Sequence, residues 1–480
     1  MANGSDFTGP APGLLGAVVQ TAARGGGHRA EVFVEDRTSL SLRLEDGKIE
    51  DALSGVDRGG SVRVIRGLST EFGYVDAVDE GSLLRLAEEL SRSGSGAGAT
   101  ARGATDEGAS PQASGGQGLR EAAEAAQSDS ARVRVATNAG LLRLADATAR
   151  GLSAEVRQVV AVYGESQQRV WIASSDGAQN SDQRIRKMLA VSVMAQRGAL
   201  LQVGRETLAV QGSLADFGEE EIIALAASAA QKALIMLDSI PAPAGRMPVV
   251  LANGFGGVLF HEACGHGLEA DYILKKTSVW EGKKGQRVAG EQVFAYDDGI
   301  GSGMWGSARC DDEGTPCQLT PVIEAGILTG YLTDRLRGEY LGLPLTGNGR
   351  RQDFRHMPYP RMTNTYFGPG AHKAEQIIAN TPRGLYAKTL SGGEVNPATG
   401  EFVFGVAEGY LIEGGKLTSP VRGATLIGSG TEVLLNIDAI ADDLDIKPGT
   451  CGKEGQGVSV GSGQPTVRIR ELTVGGTNLG

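Results

Sequence analysis

The stretch Val249–Tyr272, VVLANGFGGVLFHEACGHGLEADY, decides how this chain is read. Its first residues are an apolar run closed by Ala-Asn-Gly, the mark of a buried strand meeting a turn, and a helical segment follows. Within that segment His261, Glu262 and His266 place two imidazoles around one carboxylate. In an H-E-x-x-H helix, two His at i and i+4 hold zinc from one face and the Glu beside the first His serves as the base. Here the spacing is one residue longer. At about 100° per residue an i,i+5 pair lies ~140° apart on a regular α-helix, too far round to share an ion. A π-type turn brings the pair back to one side, and Gly265 and Gly267 are expected to ease it with their tolerant backbones. The plain alternative is two helical histidines with no shared ligand. With only five His in 480 residues, the grouping favours a metal site.

Two His leave a tetrahedral zinc in need of a third protein ligand and an open fourth position. Glu269, three residues after His266, is either that ligand or a carboxylate that orients a ligand imidazole. Cys264 points away from His266 at helical spacing. Cys451, in the glycine-rich GTCGKEGQGVSVGSGQP, offers a soft thiolate suited to zinc, although a lone cysteine is more often a small buried hydrophobe. The residues alone leave these open.

Around this centre lie HEACGHGLEAD (261–271), DDEGTPCQ (311–318), PLTGNGRRQ (344–352), PRMTNTYFGPG (360–370), GATLIGSG (423–430) and CGKEGQ (451–456). In this order they resemble the TldD/PmbA family of metallopeptidases, in its zinc-bearing TldD-type subunit. The resemblance is specific after residue 245 and diffuse before it. Cys317 departs from it, standing where a small residue such as glycine is expected. The resemblance implies zinc held by His261, His266 and Cys451, with Glu262 as the catalytic base. It also implies an α+β, two-domain architecture, extended or unfolded peptides as substrates, and a heterodimer with a PmbA/TldE-type partner lacking the zinc motif, a second copy of the chain being the alternative. Arg350, Arg351, Arg361, His356 and Tyr366 are candidates for stabilising the oxyanion. Two other readings stay open: a non-catalytic subunit with a structural zinc, and a zinc hydrolase of small amides.

Composition bounds the remainder. The net charge of −11 argues against nucleic acid or an anionic membrane as main partner. The N-terminus lacks the basic and apolar regions of a signal peptide, and no apolar run of about 18 residues occurs, so a cytoplasmic protein is expected. Four Cys make no disulfide framework, and Cys310 and Cys317 read as free thiols.

A short amphipathic helix is expected over residues 14–23, and alternating strands over 30–78, with a helix at about 80–93. The segment from about 94 to 130 is rich in Gly, Ser and Ala and is expected to be a disordered loop. A helix at 140–150, strands near 154–163, 168–174 and 184–196, and the helix EEEIIALAASAAQKALIML complete an N-terminal α+β domain, 1–240. The linker IPAPAGRMP leads to a β-rich domain, 246–480, that carries the metal helix. Residues 322–332 are expected to turn back as a hairpin through Gly326.

Overall fold

The structure, a computed structural model, describes residues 7–93 and 129–476. The loop expected at about 94–130 falls almost wholly outside them. The chain is α+β. Its first half is a six-stranded antiparallel sheet, with strands β1 (Arg29–Glu45), β2 (Lys48–Arg66), β3 (Ser69–Val75), β4 (Val156–Ser174), β5 (Gln179–Arg197) and β6 (Leu200–Gln211) in the order β3-β2-β1-β4-β5-β6. Helices α1 (Leu14–Ala23), α2 (Glu80–Ser93), α3 (Asp129–Gly151) and α4 (Glu219–Leu237) accompany it.

The strands are longer than their sequence segments predict. The stretches 154–163 and 168–174 form one strand, β4, and β6 joins as an edge strand the sequence reading passed over. The reason is that β1, β2 and β4 each serve two apolar layers in tandem. Val32 and Val34 of β1 pack with Val18 and Leu83 of α1 and α2, whereas Leu40, Leu42 and Leu44 pack with Leu142 of α3 and Ala226 of α4. These even-numbered residues share one face, as a period of two requires. The odd-numbered residues face the second half of the chain: Glu35 accepts the Phe354 N–H at 2.9 Å, and the Arg351 guanidinium lies 4.4 Å from the Phe33 ring. A sheet buried on both faces couples the two halves.

The second half contains a closed barrel. Strands 383–395, 245–251, 467–475, 425–429 and 401–413 pair in that order, and the last pairs back to the first. One junction, 383–395 with 245–251, is parallel; the sequence reading anticipated antiparallel strands but not closure. The linker is drawn in, with Ile240 and Pro241 pairing with Val421 and Arg422. A second six-stranded sheet has the order 327–328, 319–324, 295–298, 364–367, 456–464, 445–453. The expected hairpin is present in it, turning at Ala325 and Gly326, whose φ of 46° and 77° suit a tight two-residue turn. The helical segment of residues 255–268 leaves the barrel strand 245–251 and packs against this second sheet.

Candidate metal centre

The helical segment changes pitch where the two histidines sit. A 3₁₀ turn at Phe255–Gly257 and a single α turn at Val258–Phe260 are followed by a π turn over His261–Gly265 and a 3₁₀ turn over His266–Leu268. The i,i+5 spacing thus becomes one-sided: the rings of His261 and His266 lie 5.2 Å apart between centroids and nearly perpendicular. The glycines act differently from expectation. Gly265 has ordinary helical angles, φ −57° and ψ −51°. A Cβ there would stand 2.2 Å from the Met362 sulfur, and one on Gly267 would stand 2.6 Å from the Trp280 ring. Close packing, rather than backbone freedom, requires both. Gly265→Ala is expected to lower stability by about 1–3 kcal/mol through overpacking against fully buried Met362, measured by thermal or denaturant unfolding; an unchanged midpoint would show that Met362 can yield.

Cys451 arrives from the strand 445–453, the edge of the second sheet. Ligand atoms of His261, His266 and Cys451 all lie within 4.8 Å of one another, and all three residues are buried. Cys451 Sγ is 3.3 Å from His266 Nε2. Each ring is held from behind: His261 Nδ1 meets Thr365 Oγ1 at 3.1 Å and Ser462 Oγ at 3.3 Å, and His266 Nδ1 meets Glu269 Oε2 at 3.0 Å. Both Nε2 atoms are thereby left for the space beside Cys451. Burial opposes a charged thiolate at Cys451, yet His261 and His266 draw its pKa well below the ordinary thiol value. Burial likewise opposes an imidazolium at His266, and Glu269 with Cys451 raises it well above the usual value. The other cysteines shift oppositely. Burial pushes Cys264 and Cys317 upward and Cys310 up to about 12, and all four thiols are free.

Glu262 is set apart from the cluster. Its side chain is 29% exposed, and its Oε2 is 3.8 Å from His266 Nε2. It therefore overlooks the three donor residues from the solvent side. Glu269 is fully buried and braced by Lys453, whose Nζ donates to Glu269 Oε2 at 2.8 Å, Asp271 Oδ1 at 2.7 Å and the Pro360 carbonyl at 3.1 Å. The sequence reading missed Lys453, Thr365 and Ser462. Lys453 had a signal: it lies two residues after Cys451 on one strand, hence on the same face. The hydroxyls had none.

The arginines proposed from sequence are committed elsewhere. Arg361 donates to the carbonyls of Cys451 at 2.5 Å and Gln456 at 3.5 Å, bracing the hairpin that presents the thiol. Arg350 donates to the Met362 and Ser459 carbonyls and Arg351 to Ser61 and the Asp312 carbonyl. His356 pairs with Asp353 at 2.7 Å, and the Tyr366 hydroxyl donates to Asp298 at 3.3 Å.

Three domain models of one family match the chain: PmbA/TldA metallopeptidase domain 1 over residues 30–94, the central domain over 118–237 and the C-terminal domain over 244–476. A metalloprotease TldD homolog of Haemophilus influenzae is 39% identical over 457 residues, covering 94% of this chain and 93% of that protein. A metalloprotease of Methanocaldococcus jannaschii is 31% identical, covering 92% and 96%. A zinc metalloprotease TldD homolog of Saccharolobus solfataricus is 31% identical over 65% of this chain and 68% of its own. Among solved structures, TldE from Thermococcus kodakarensis superposes with a TM-score of 0.74 at 17% identity, covering 96% of this chain and 99% of that one; at that identity the likeness is one of fold.

Proposed function

Because the chain belongs to the PmbA/TldD family of metallopeptidases, we propose that it is a zinc peptidase acting on extended or unfolded peptides, with His261, His266 and Cys451 as metal ligands and Glu262 as base. The observation that carries this reading is the π turn, which sets two imidazoles beside one thiol with a solvent-facing carboxylate next to them. The donor set suits zinc: two imidazole nitrogens and one thiolate are borderline-soft, and three protein ligands are the number found where the fourth position is kept for chemistry. The name of the Saccharolobus relative supports the same metal. When bound, zinc supplies Lewis acidity, acidifying water and polarising a carbonyl.

The chain's own groups do the remainder. Glu262 takes the proton from the attacking water and returns it to the leaving amine. Thr365, Ser462 and Glu269 fix the two rings so that neither has to reorganise. A structural zinc has no use for a partly exposed carboxylate beside it, which favours catalysis over the scaffold reading. We assign the centre to a C-terminal domain, 246–480, and the first sheet to an N-terminal domain, 1–240. We take the chain to pair with a related TldE-type subunit, a reading supported by the shared fold with TldE. Four buried free thiols suit a reducing cytoplasm, and among the described residues no helix is long and apolar enough to cross a membrane.

The test is metal analysis joined to cleavage. Wild-type chain is expected to hold about one zinc, as its three donors imply, and Cys451→Ala to bind it far more weakly; full affinity in that variant would remove Cys451 from the ligand set. Cleavage of an unfolded protein and short peptides, with and without the TldE-type subunit, is expected to exceed cleavage of small amides. The reverse order would transfer the activity to non-peptide substrates.

A further inference from the structure

Away from the metal centre, the lower face of the first sheet and the strand 456–464 enclose a cleft of about 340 Å³, at the small end of the range for ligand pockets. Arg184, Arg186, Arg350 and Arg351 line it, with Trp305 and Val458. Arg184 is paired, to Asp182 at 3.1 Å and Asp312 at 2.6 Å. The other three guanidinium groups form no ion pair with a carboxylate among the described residues. Arg186 donates to the carbonyls of Trp305 at 2.9 Å and Ser307 at 3.5 Å, and Arg350 and Arg351 meet carbonyls and one hydroxyl. Carbonyl oxygens satisfy N–H groups but cancel no charge, and against five lining arginines, Arg37 included, stand only the carboxylates of Asp312 and Glu165, so the cleft holds an excess of cations in a poorly solvated place.

The crowding is visible in Arg186, whose pKa falls to about 9 through burial and through the neighbouring Arg184 and Arg350. The cleft also adjoins the metal hairpin. Val458 is the direct cross-strand partner of Cys451, which places their Cα atoms about 5 Å apart.

We infer that this cleft binds a carboxylate of the substrate peptide, held by Arg186, the least buried of the three guanidinium groups without an ion pair, with Arg350 and Arg351 as the buried cations beside it. The inference rests on the peptidase reading. Planar guanidinium groups match a carboxylate in shape and charge, and the carboxylate is either the peptide's C-terminus or an acidic side chain. It would supply the missing negative charge and tie the substrate to the hairpin that carries Cys451.

The test measures peptide binding to the zinc-loaded full chain carrying Glu262→Gln, which blocks turnover, alone and with its TldE-type subunit. Four versions of one peptide separate the sources: free C-terminus or amide, each with Glu or Gln near that end. At least one carboxylate is expected to tighten binding by about tenfold to a hundredfold, with a change in Trp305 fluorescence. Arg186→Met is expected to abolish the difference and Arg186→Lys to restore part of it, while binding of the doubly neutral peptide stays as it was. Should all four peptides bind equally, the carboxylate site is wrong even if the wild type cleaves them. If wild type cleaves none of them but keeps the carboxylate preference, the peptidase reading fails and the site stands. Loss of binding for every peptide in both Arg186 variants would show a structural arginine and overturn the inference.

Discussion

Glu262→Gln is expected to leave zinc content unchanged while lowering kcat by about 10²- to 10⁴-fold, the range over which a positioned general base contributes. The substitution keeps the size and polarity of the side chain and removes its capacity to accept a proton. Retention of metal follows from the geometry, since the donor cluster is made by His261, His266 and Cys451 and Glu262 stands outside it. KM should move little, because the carboxylate acts on water and not on the peptide. Metal analysis and steady-state kinetics on the same preparation decide the matter. A variant with full zinc and near-normal turnover would strip Glu262 of its role, whereas loss of zinc in parallel with activity would make it a ligand.

Lys453→Met is expected to cost about 3–5 kcal/mol of stability, the usual effect of breaking a buried charge pair and stranding its partner. Here two carboxylates are stranded, Glu269 at 0% exposure and Asp271 at 1%. Zinc affinity should fall as well, by about 10- to 100-fold, as happens when the group behind a ligand histidine is disturbed. Denaturant unfolding and a zinc competition titration measure the two effects. A variant that unfolds at the wild-type midpoint would mean that the two acids discharge by taking up protons instead. Acid attacks the same contact: burial raises the pKa of Glu269, but Lys453 and His266 bring it down to about 2 from the ordinary 4.5. Because the folded-state pKa is depressed, this stabilisation is complete above pH 4.5 and is lost as pH falls toward 2. An acid-unfolding curve of the Lys453→Met variant should therefore show a weaker dependence than the wild type's in that window.

The π turn was legible from sequence because the misfit is local: a five-residue gap between two histidines admits few one-sided geometries, and the backbone adopts one of them. The third member of the cluster was not legible in that way. Cys451 and His266 are 185 residues apart, and nothing in the spacing of either announces the other; family motifs, not periodicity, pointed to Cys451. Lys453 shows the intermediate case, a residue readable once the strand of Cys451 is known. Gly265 shows how a correctly placed turn can come with an incorrect reason, since its partner Met362 lies 97 positions away and a contact at that range leaves no mark on local sequence. The same limit applies to the barrel. Alternation revealed strands, but ring closure depends on which strand borders which, and that is fixed by packing between distant segments.

The barrel also sets an order of events in time. The strand that launches the histidine segment, 245–251, is bordered by 467–475, so its neighbour is synthesised long after it. Cys451 comes late as well. During translation the two histidines are therefore made well before Cys451, and the three-residue cluster cannot assemble until the strand 445–453 has emerged from the ribosome. On the proposed zinc reading, the chain stays inert toward its neighbours, and toward itself, until that strand has been made.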